Sequence, residues 1–171
     1  MIRSYGGKTP IIHPSAFVSE AAYVLGDVEI GEGSSIWPGV VIRADAAKIT
    51  IGKNSNVQDN SVLHADTPMN IGDHVTIGHL VMCHATEIGN NSLLGNGATL
   101  NHGVKIGEGS LVAAGATLIE GMEVPDNSIV AGTPGRVRGD VQERHRKLMD
   151  GATNSYIRRT PLFKEQGDLE D

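Results

Sequence analysis

Histidines at positions 64, 79, 84 and 102 are the residues of this chain best suited to metal chemistry. They stand in the short segments Leu63-His64, Gly78-His79, Cys83-His84 and Asn101-His102. Imidazole is a common zinc ligand, and three imidazoles leave one position of a tetrahedral ion open to water. The four segments therefore predict a metal site, provided that the fold brings their side chains together.

An aliphatic residue at every sixth position indicates the fold that carries these histidines. The hexapeptide Ile-Gly-Glu-Gly-Ser-Ser at 30–35 is nearly repeated as Ile-Gly-Glu-Gly-Ser-Leu at 106–111. A helix would need apolar spacings of three and four, whereas a spacing of six is typical of a parallel β-helix. Three hexapeptides form one triangular coil, so the repeat from Ile12 to Gly135 predicts an all-β solenoid of about seven coils.

The repeat predicts three walls of stacked strands, which we call the first, second and third wall. The predicted interior positions are 12, 30, 51, 71, 88, 106 and 124 on the first wall, 18, 36, 57, 77, 94, 112 and 130 on the second, and 24, 42, 63, 83, 100 and 118 on the third. The three breaks in the six-residue phase all fall at the corner that follows the third wall. Irregular corners of a regular scaffold are common places for functional residues.

Stacking places two of the histidines next to each other. Strands of neighbouring coils lie about 4.8 Å apart, so equivalent positions of one wall form a column. His64 and His84 share a column of the third wall, whereas His79 belongs to the second wall. Roughly 15 Å of extended chain and one corner separate His79 from His84. One chain does not easily bring all three to one ion, but a neighbouring chain could supply His79.

The sequence after Gly135 changes its period. Apolar spacings of three and four predict a C-terminal helix within residues 136–164, with Asp140 as its N-cap, lying back along the coils. Residues 1–135 are then the β-helix domain with a short lead-in, and residues 165–171 a flexible acidic tail. Trp37 points outward from the second wall, and we expect it to anchor an interface between subunits.

Composition excludes several classes of partner. The formal charge of −6 gives no basic footprint for nucleic acid. No segment approaches the ~20 apolar residues of a membrane span, and the N-terminus has no apolar signal region. The one cysteine, Cys83, occupies an interior position and is expected to be a small core residue. These features predict a cytoplasmic protein that binds neither nucleic acid nor a membrane.

Several local motifs together resemble the gamma-class carbonic anhydrases. They are Arg43-Ala44-Asp45, Asn56-Val57-Gln58-Asp59, Ser61-Val62-Leu63-His64, Gly78-His79 with His84 five residues later, and Gly132-Thr133-Pro134. The resemblance extends over nearly all of residues 10–160. It implies a left-handed parallel β-helix that assembles as a homotrimer and, as a lyase, reversibly hydrates carbon dioxide to bicarbonate.

The resemblance also implies roles for individual residues. His64 and His84 of one chain and His79 of the next would bind zinc, or in its place iron or cobalt. Arg43 would pair with Asp59 across the interface, and Gln58 would orient the attacking water. The remaining matches, which are polar or aromatic residues around the site, are Asn56, Asp45 and Tyr156.

The chain differs from the family prototype in two places. Ala46 stands where the prototype has a glutamate, and residues 65–70 replace a long acidic loop that carries a proton-shuttle glutamate. Asp66 and His102 are the candidates that remain for proton transfer near the site.

Two other functions stay open. An acyl-CoA-dependent acyltransferase could use the same scaffold, with His102 as general base and the Gly132–Pro134 turn near the cofactor. Such enzymes extend a long loop from one coil, however, and no insertion here exceeds three residues. A trimeric assembly module could instead retain the metal without catalysing a reaction.

Overall fold

The aliphatic residue of each hexapeptide is buried inside a parallel β-solenoid of about seven turns. The computed structural model describes residues 1–166, in which one helix follows the solenoid. Those residues form strands β1 (Ile2–Arg3), β2 (Ile11–Ile12), β3 (Phe17–Val18), β4 (Tyr23–Ile30), β5 (Ser35–Ile36), β6 (Val41–Ile51), β7 (Asn56–Val57), β8 (Val62–His64), β9 (Met69–Ile71), β10 (Thr76–Ile77), β11 (Met82–Cys83), β12 (Glu87–Ile88), β13 (Leu93–Leu94), β14 (Thr99–Leu100), β15 (Lys105–Ile106), β16 (Leu111–Val112), β17 (Thr117–Leu118), β18 (Glu123–Val124), β19 (Ser128–Ala131) and β20 (Arg136–Asp140), and helix α1 (Glu143–Gln166).

The register of the solenoid confirms the predicted walls. The second wall is one sheet in the order β20-β19-β16-β13-β10-β7-β5-β3, and the other two walls share a second sheet. Strands β4 and β6 are long because each turns the corner from the third wall to the first. On the third wall, Ile42 pairs with Leu63 and Leu63 with Cys83, as the six-residue phase predicts.

The segment after the solenoid differs from the predicted helix at its start. Residues 136–140 form strand β20, which runs antiparallel to β19 and closes the end of the second wall. The helix therefore begins at Glu143, so Asp140 ends a strand and is not the N-cap. The backbone N–H of Gln142 donates instead to Nδ1 of His145, 3.0 Å away, at the helix start. Of the predicted tail, residues 167–171 lie outside the described part of the chain.

Trp37 is buried beneath the helix, so its prediction as an exposed interface anchor was wrong. Only 6% of its surface is exposed. Its ring meets those of Tyr156 and Phe163 on the helix at centroid distances of 5.0 and 4.8 Å, and Phe17 of the first coil at 5.5 Å. Edge-to-face pairs at these distances are favourable beyond the area that they bury. Trp37 thus fixes the helix on the second wall of its own chain.

No helix within residues 1–166 has the length and apolar character needed to cross a membrane. The one described helix is amphipathic and buries Met149, Thr153 and Thr160 against the coils.

Cys83 is expected to be unreactive in the folded protein. It is completely buried on the third wall, and this burial raises the pKa of its thiol to about 11. Because only the thiolate reacts, an aromatic disulfide reagent at pH 8 should label almost no native protein and one thiol per chain after denaturation. Rapid stoichiometric labelling of the native protein would contradict this burial.

Candidate metal centre

His64 and His84 form a stacked pair on the outer face of the third wall. His64 ends strand β8 and His84 directly follows β11, and these two strands are neighbours in the sheet. The ring centroids are 5.1 Å apart with an angle of 30° between the planes. The strand spacing of the solenoid therefore sets the separation of the two imidazoles, as expected from their shared column.

The Nε2 atoms of this pair are buried and lack a hydrogen-bond partner within residues 1–166. Carboxylate oxygens do lie near them, with Asp45 Oδ1 at 3.3 Å from His64 and Asp66 Oδ2 at 3.2 Å from His84. These distances are within ion-pair range, but neither contact has hydrogen-bond geometry. Buried polar atoms are normally satisfied, so two unpartnered imidazole nitrogens side by side are suited to a shared cation.

Asp45 and Arg43 flank the histidine pair at the same corner. The Arg43 guanidinium donates to Oδ2 of Asp45. Partial burial would raise the pKa of Asp45, but hydrogen bonds from its own backbone and from Arg43, with the charges of Arg43 and His64, hold the pKa below its ordinary value. Asp45 therefore stays ionised beside His64.

His79 lies apart from the pair and beside Asp59. Its Nδ1 atom is 3.0 Å from Oδ2 of Asp59, which is within ion-pair range. A carboxylate near one imidazole nitrogen leaves the other nitrogen available to a metal. Among the described residues, His64, Asp66 and His84 form a group that could hold a metal ion, with all ligand atoms within 4.8 Å of one another. His79 is not part of this group.

Gln58 and Asn56 belong to a buried polar chain on the second wall. Gln58 Nε2 donates to Asn56 Oδ1 at 3.0 Å, and Asn56 Nδ2 donates to the Thr76 hydroxyl at 2.9 Å. The Thr76 hydroxyl lies 2.8 Å from that of Thr153 on the helix. The orientation of the Gln58 amide therefore depends on the position of the helix on the second wall. The link to Thr153 could not be found from the sequence, because the register of the helix on the coils was unknown.

Tyr156 faces the same wall as Gln58 and lies in the electrostatic field of Asp59. Partial burial raises the pKa of Tyr156, the negative charge of Asp59 raises it further, and Arg159 opposes both. The Arg159 guanidinium carbon is 5.5 Å from the Tyr156 ring centroid. Tyr156 thus lies close enough to Asp59 for the carboxylate charge to act on its hydroxyl.

Three exposed apolar residues lie within two positions of a site histidine in the sequence. Val62 and Met82, which pair across β8 and β11, are 39% and 38% exposed, and Leu80 beside His79 is 65% exposed. Leu80 also has a φ of 59°, where a side chain is strained. We call these three residues the apolar patch. A clustered apolar surface next to a polar site is typical of an interface.

The structure divides the predicted site residues between two groups. The third-wall group contains Arg43, Asp45, His64 and His84, and the second-wall group contains Asn56, Gln58, Asp59, His79 and Tyr156. Asp66 and His102 join the third-wall group; the His102 ring lies 5.1 Å from that of His84. The sequence suggested Asp66 for proton transfer, and His102 either for proton transfer or as the general base of an acyltransferase. The path of corner residues such as Asp66 cannot be read from a column.

The hexapeptide repeat matches a known family model. Residues 9–44 and 85–120 match the family model for the bacterial transferase hexapeptide (six repeats). Gamma carbonic anhydrase 1, a mitochondrial protein of Arabidopsis thaliana, is 44% identical over 101 residues, which are 54% of this chain and 37% of that protein. A carbonic anhydrase of Geobacillus kaustophilus is 46% identical over 102 residues, covering 58% and 56%. The chain thus spans about half or less of the length of these relatives.

A relative of similar length decides the family. A Methanocaldococcus jannaschii protein named probable carbonic anhydrase is 45% identical over 150 residues, covering 86% of this chain and 94% of the relative. The chain belongs to the gamma-class carbonic anhydrase family. Among solved structures, a Bacillus cereus protein provisionally named an acetyltransferase superposes with a TM-score of 0.94 at 35% identity, covering 97% of this chain and 98% of that one. The Bacillus cereus protein therefore shares this solenoid over nearly its whole length.

Proposed function

We propose that this protein catalyses the reversible hydration of carbon dioxide to bicarbonate at a metal site between two chains. In this proposal His64 and His84 of one chain and His79 of a neighbouring chain hold the ion. The observation that carries the proposal is the pair of buried, unpartnered Nε2 atoms on the third wall. Membership of the gamma-class family supplies the reaction.

The separation of the two groups supports a site shared between chains. His79 has the Asp59 carboxylate beside it, as metal-binding histidines commonly do, yet it lies outside the group of His64 and His84. The apolar patch lies next to both groups and supports close packing by a second copy. A closed trimer would repeat this contact three times around its axis, so every site would be completed by a neighbour.

Zinc fits the imidazole set, and iron or cobalt are the alternatives with similar ligand preferences. When bound by three neutral imidazoles, such an ion would act as a Lewis acid and lower the pKa of water to about 7.

The chain's own residues would prepare the remaining parts of the site. Gln58, fixed by Asn56, would orient the water that attacks the substrate carbon. Within one chain, Arg43 forms an ion pair with Asp45, and Asp59 lies beside His79. We therefore expect a pair between Arg43 and Asp59 to form only between chains. Asp66, whose side chain is 57% exposed, is placed to accept the released proton on its carboxylate and pass it to buffer.

Acyl transfer is the second candidate, and the Bacillus cereus structure favours it. The general base expected for acyl transfer, His102, lies beside His84 in a cluster of imidazoles. The substrate hydroxyl or amine that accepts the acyl group would have to reach that cluster. The corner insertions are short, so this chain extends no long acceptor-binding loop among residues 1–135. We therefore rank carbon dioxide hydration first.

One set of measurements separates these functions. Stopped-flow hydration of carbon dioxide should be fast with zinc-loaded protein, absent after chelation and restored by zinc. Coenzyme A should give no thermal protection. Protection by coenzyme A with no hydration would favour acyl transfer, and tightly bound metal with neither response would favour a non-catalytic assembly module.

A further inference from the structure

The Asp66 carboxylate lies beside the histidine pair, where it could act as a third metal ligand from the same chain. Its Oδ2 atom is 3.2 Å from His84 Nε2, and its Oδ1 atom is 3.8 Å from His64 Nε2. One carboxylate therefore faces both imidazole nitrogens at once. The side chain reaches this place from the short corner between β8 and β9, where the buried Ala65 anchors the turn.

These distances match those between ligands on one ion. Nitrogen and oxygen ligands bind zinc at about 2.0–2.2 Å, so in a tetrahedral arrangement two ligand atoms are about 3.3 Å apart. All three ligand atoms of His64, Asp66 and His84 lie within 4.8 Å of one another. A modest closure of the corner would bring them onto one cation. Two imidazoles and one carboxylate suit Zn²⁺, Co²⁺ and Fe²⁺.

We infer that His64, Asp66 and His84 form a three-ligand site for a divalent transition metal within a single chain. The inference deepens the proposed function and rests on its assignment of His64 and His84 as ligands. Metal loading then does not require assembly. When a neighbouring chain provides His79, its imidazole replaces the Asp66 carboxylate as the third ligand.

A double-mutant cycle between Asp66 and His79 tests the inference through metal affinity, independently of catalysis. The four proteins are the wild type, Asp66→Asn, His79→Ala and the double variant, each titrated with Co²⁺ by equilibrium dialysis and visible absorption. In the wild type His79 supplies the third ligand, so Asp66→Asn should change affinity by less than about threefold. In the His79→Ala background the same substitution should weaken binding by more than about tenfold and change the Co²⁺ spectrum.

Additive effects would overturn the inference. If Asp66 only oriented His84 through a contact outside the ligand shell, Asp66→Asn would weaken binding equally in both backgrounds. Glu87→Gln removes another exposed carboxylate, on the first wall, and should change affinity in neither background. A wild type that binds no Co²⁺ would refute the proposed metal site itself, whereas binding with an additive cycle would refute only the role of Asp66. Far-ultraviolet circular dichroism confirms that each variant is folded.

Discussion

Replacing His84 by alanine is expected to abolish carbon dioxide hydration. The substitution removes one of the two imidazoles that stack on the third wall and leaves His64 beside the carboxylates of Asp45 and Asp66. Polarisation by a bound metal is worth several kcal/mol in the transition state, so the rate should fall by about a hundredfold or more. Stopped-flow measurement of the hydration rate per chain, at fixed zinc concentration, gives the comparison.

His13→Ala is the matched control for that variant. His13 is on the first coil, where its ring contacts Ser15, and removing its imidazole should leave hydration unchanged. A His84→Ala protein that retains more than about a third of the wild-type rate would show that this pair does not hold the catalytic ion, because loss of even an outer-shell partner commonly costs tenfold.

Trp37→Ala should destabilise the protein by about 3–5 kcal/mol, the usual effect of truncating a large buried aromatic residue. The substitution opens a cavity between the second wall and the helix, where Trp37 contacts Phe17, Tyr156 and Phe163. Urea unfolding followed by circular dichroism measures the effect. Protein concentration is held fixed, since assembly contributes to apparent stability.

Leu148→Ala provides the control on the same helix. Leu148 is 60% exposed, so its truncation should change the free energy of unfolding by no more than about 0.5 kcal/mol. If Trp37→Ala separated the subunits without lowering the stability of the chain, Trp37 would be an interface residue after all.

The sequence was sufficient to predict the solenoid and the stacking of its walls. The aliphatic positions repeat every six residues, and a shift by one residue would turn each buried side chain outward, so the register had one solution. The adjacency of His64 and His84 followed directly from this register. Local pattern and long-range packing agree in these coils, because each strand pairs with its equivalent in the next turn.

Features that depend on packing between unlike elements could not be predicted. Residues 136–140 are exposed along their length, so no apolar period indicated strand β20. Trp37 occupies an outward position, and the sequence does not specify which wall the helix covers. The approach of Asp66 to both imidazoles depends on the conformation of a corner with two extra residues, for which the repeat gives no template.

The most direct test of the shared metal site is complementation between two inactive variants. His79→Ala retains His64 and His84, and His84→Ala retains His79. Unfolding an equal mixture and refolding it should produce mixed trimers, with native mass spectrometry to confirm their composition. Hydration is the readout, since Asp66 would let His79→Ala hold some metal without His79.

We expect hydration in the mixture to return to about a quarter of the wild-type rate, since a quarter of the sites are complete. In a complete site, a His79→Ala chain supplies His64 and His84, and the next chain around the ring is a His84→Ala chain that supplies His79. Each variant refolded alone should remain inactive. Confirmed mixed trimers with no more hydration than either parent would contradict a site shared between chains, because ligands drawn from one chain cannot be restored by any neighbour.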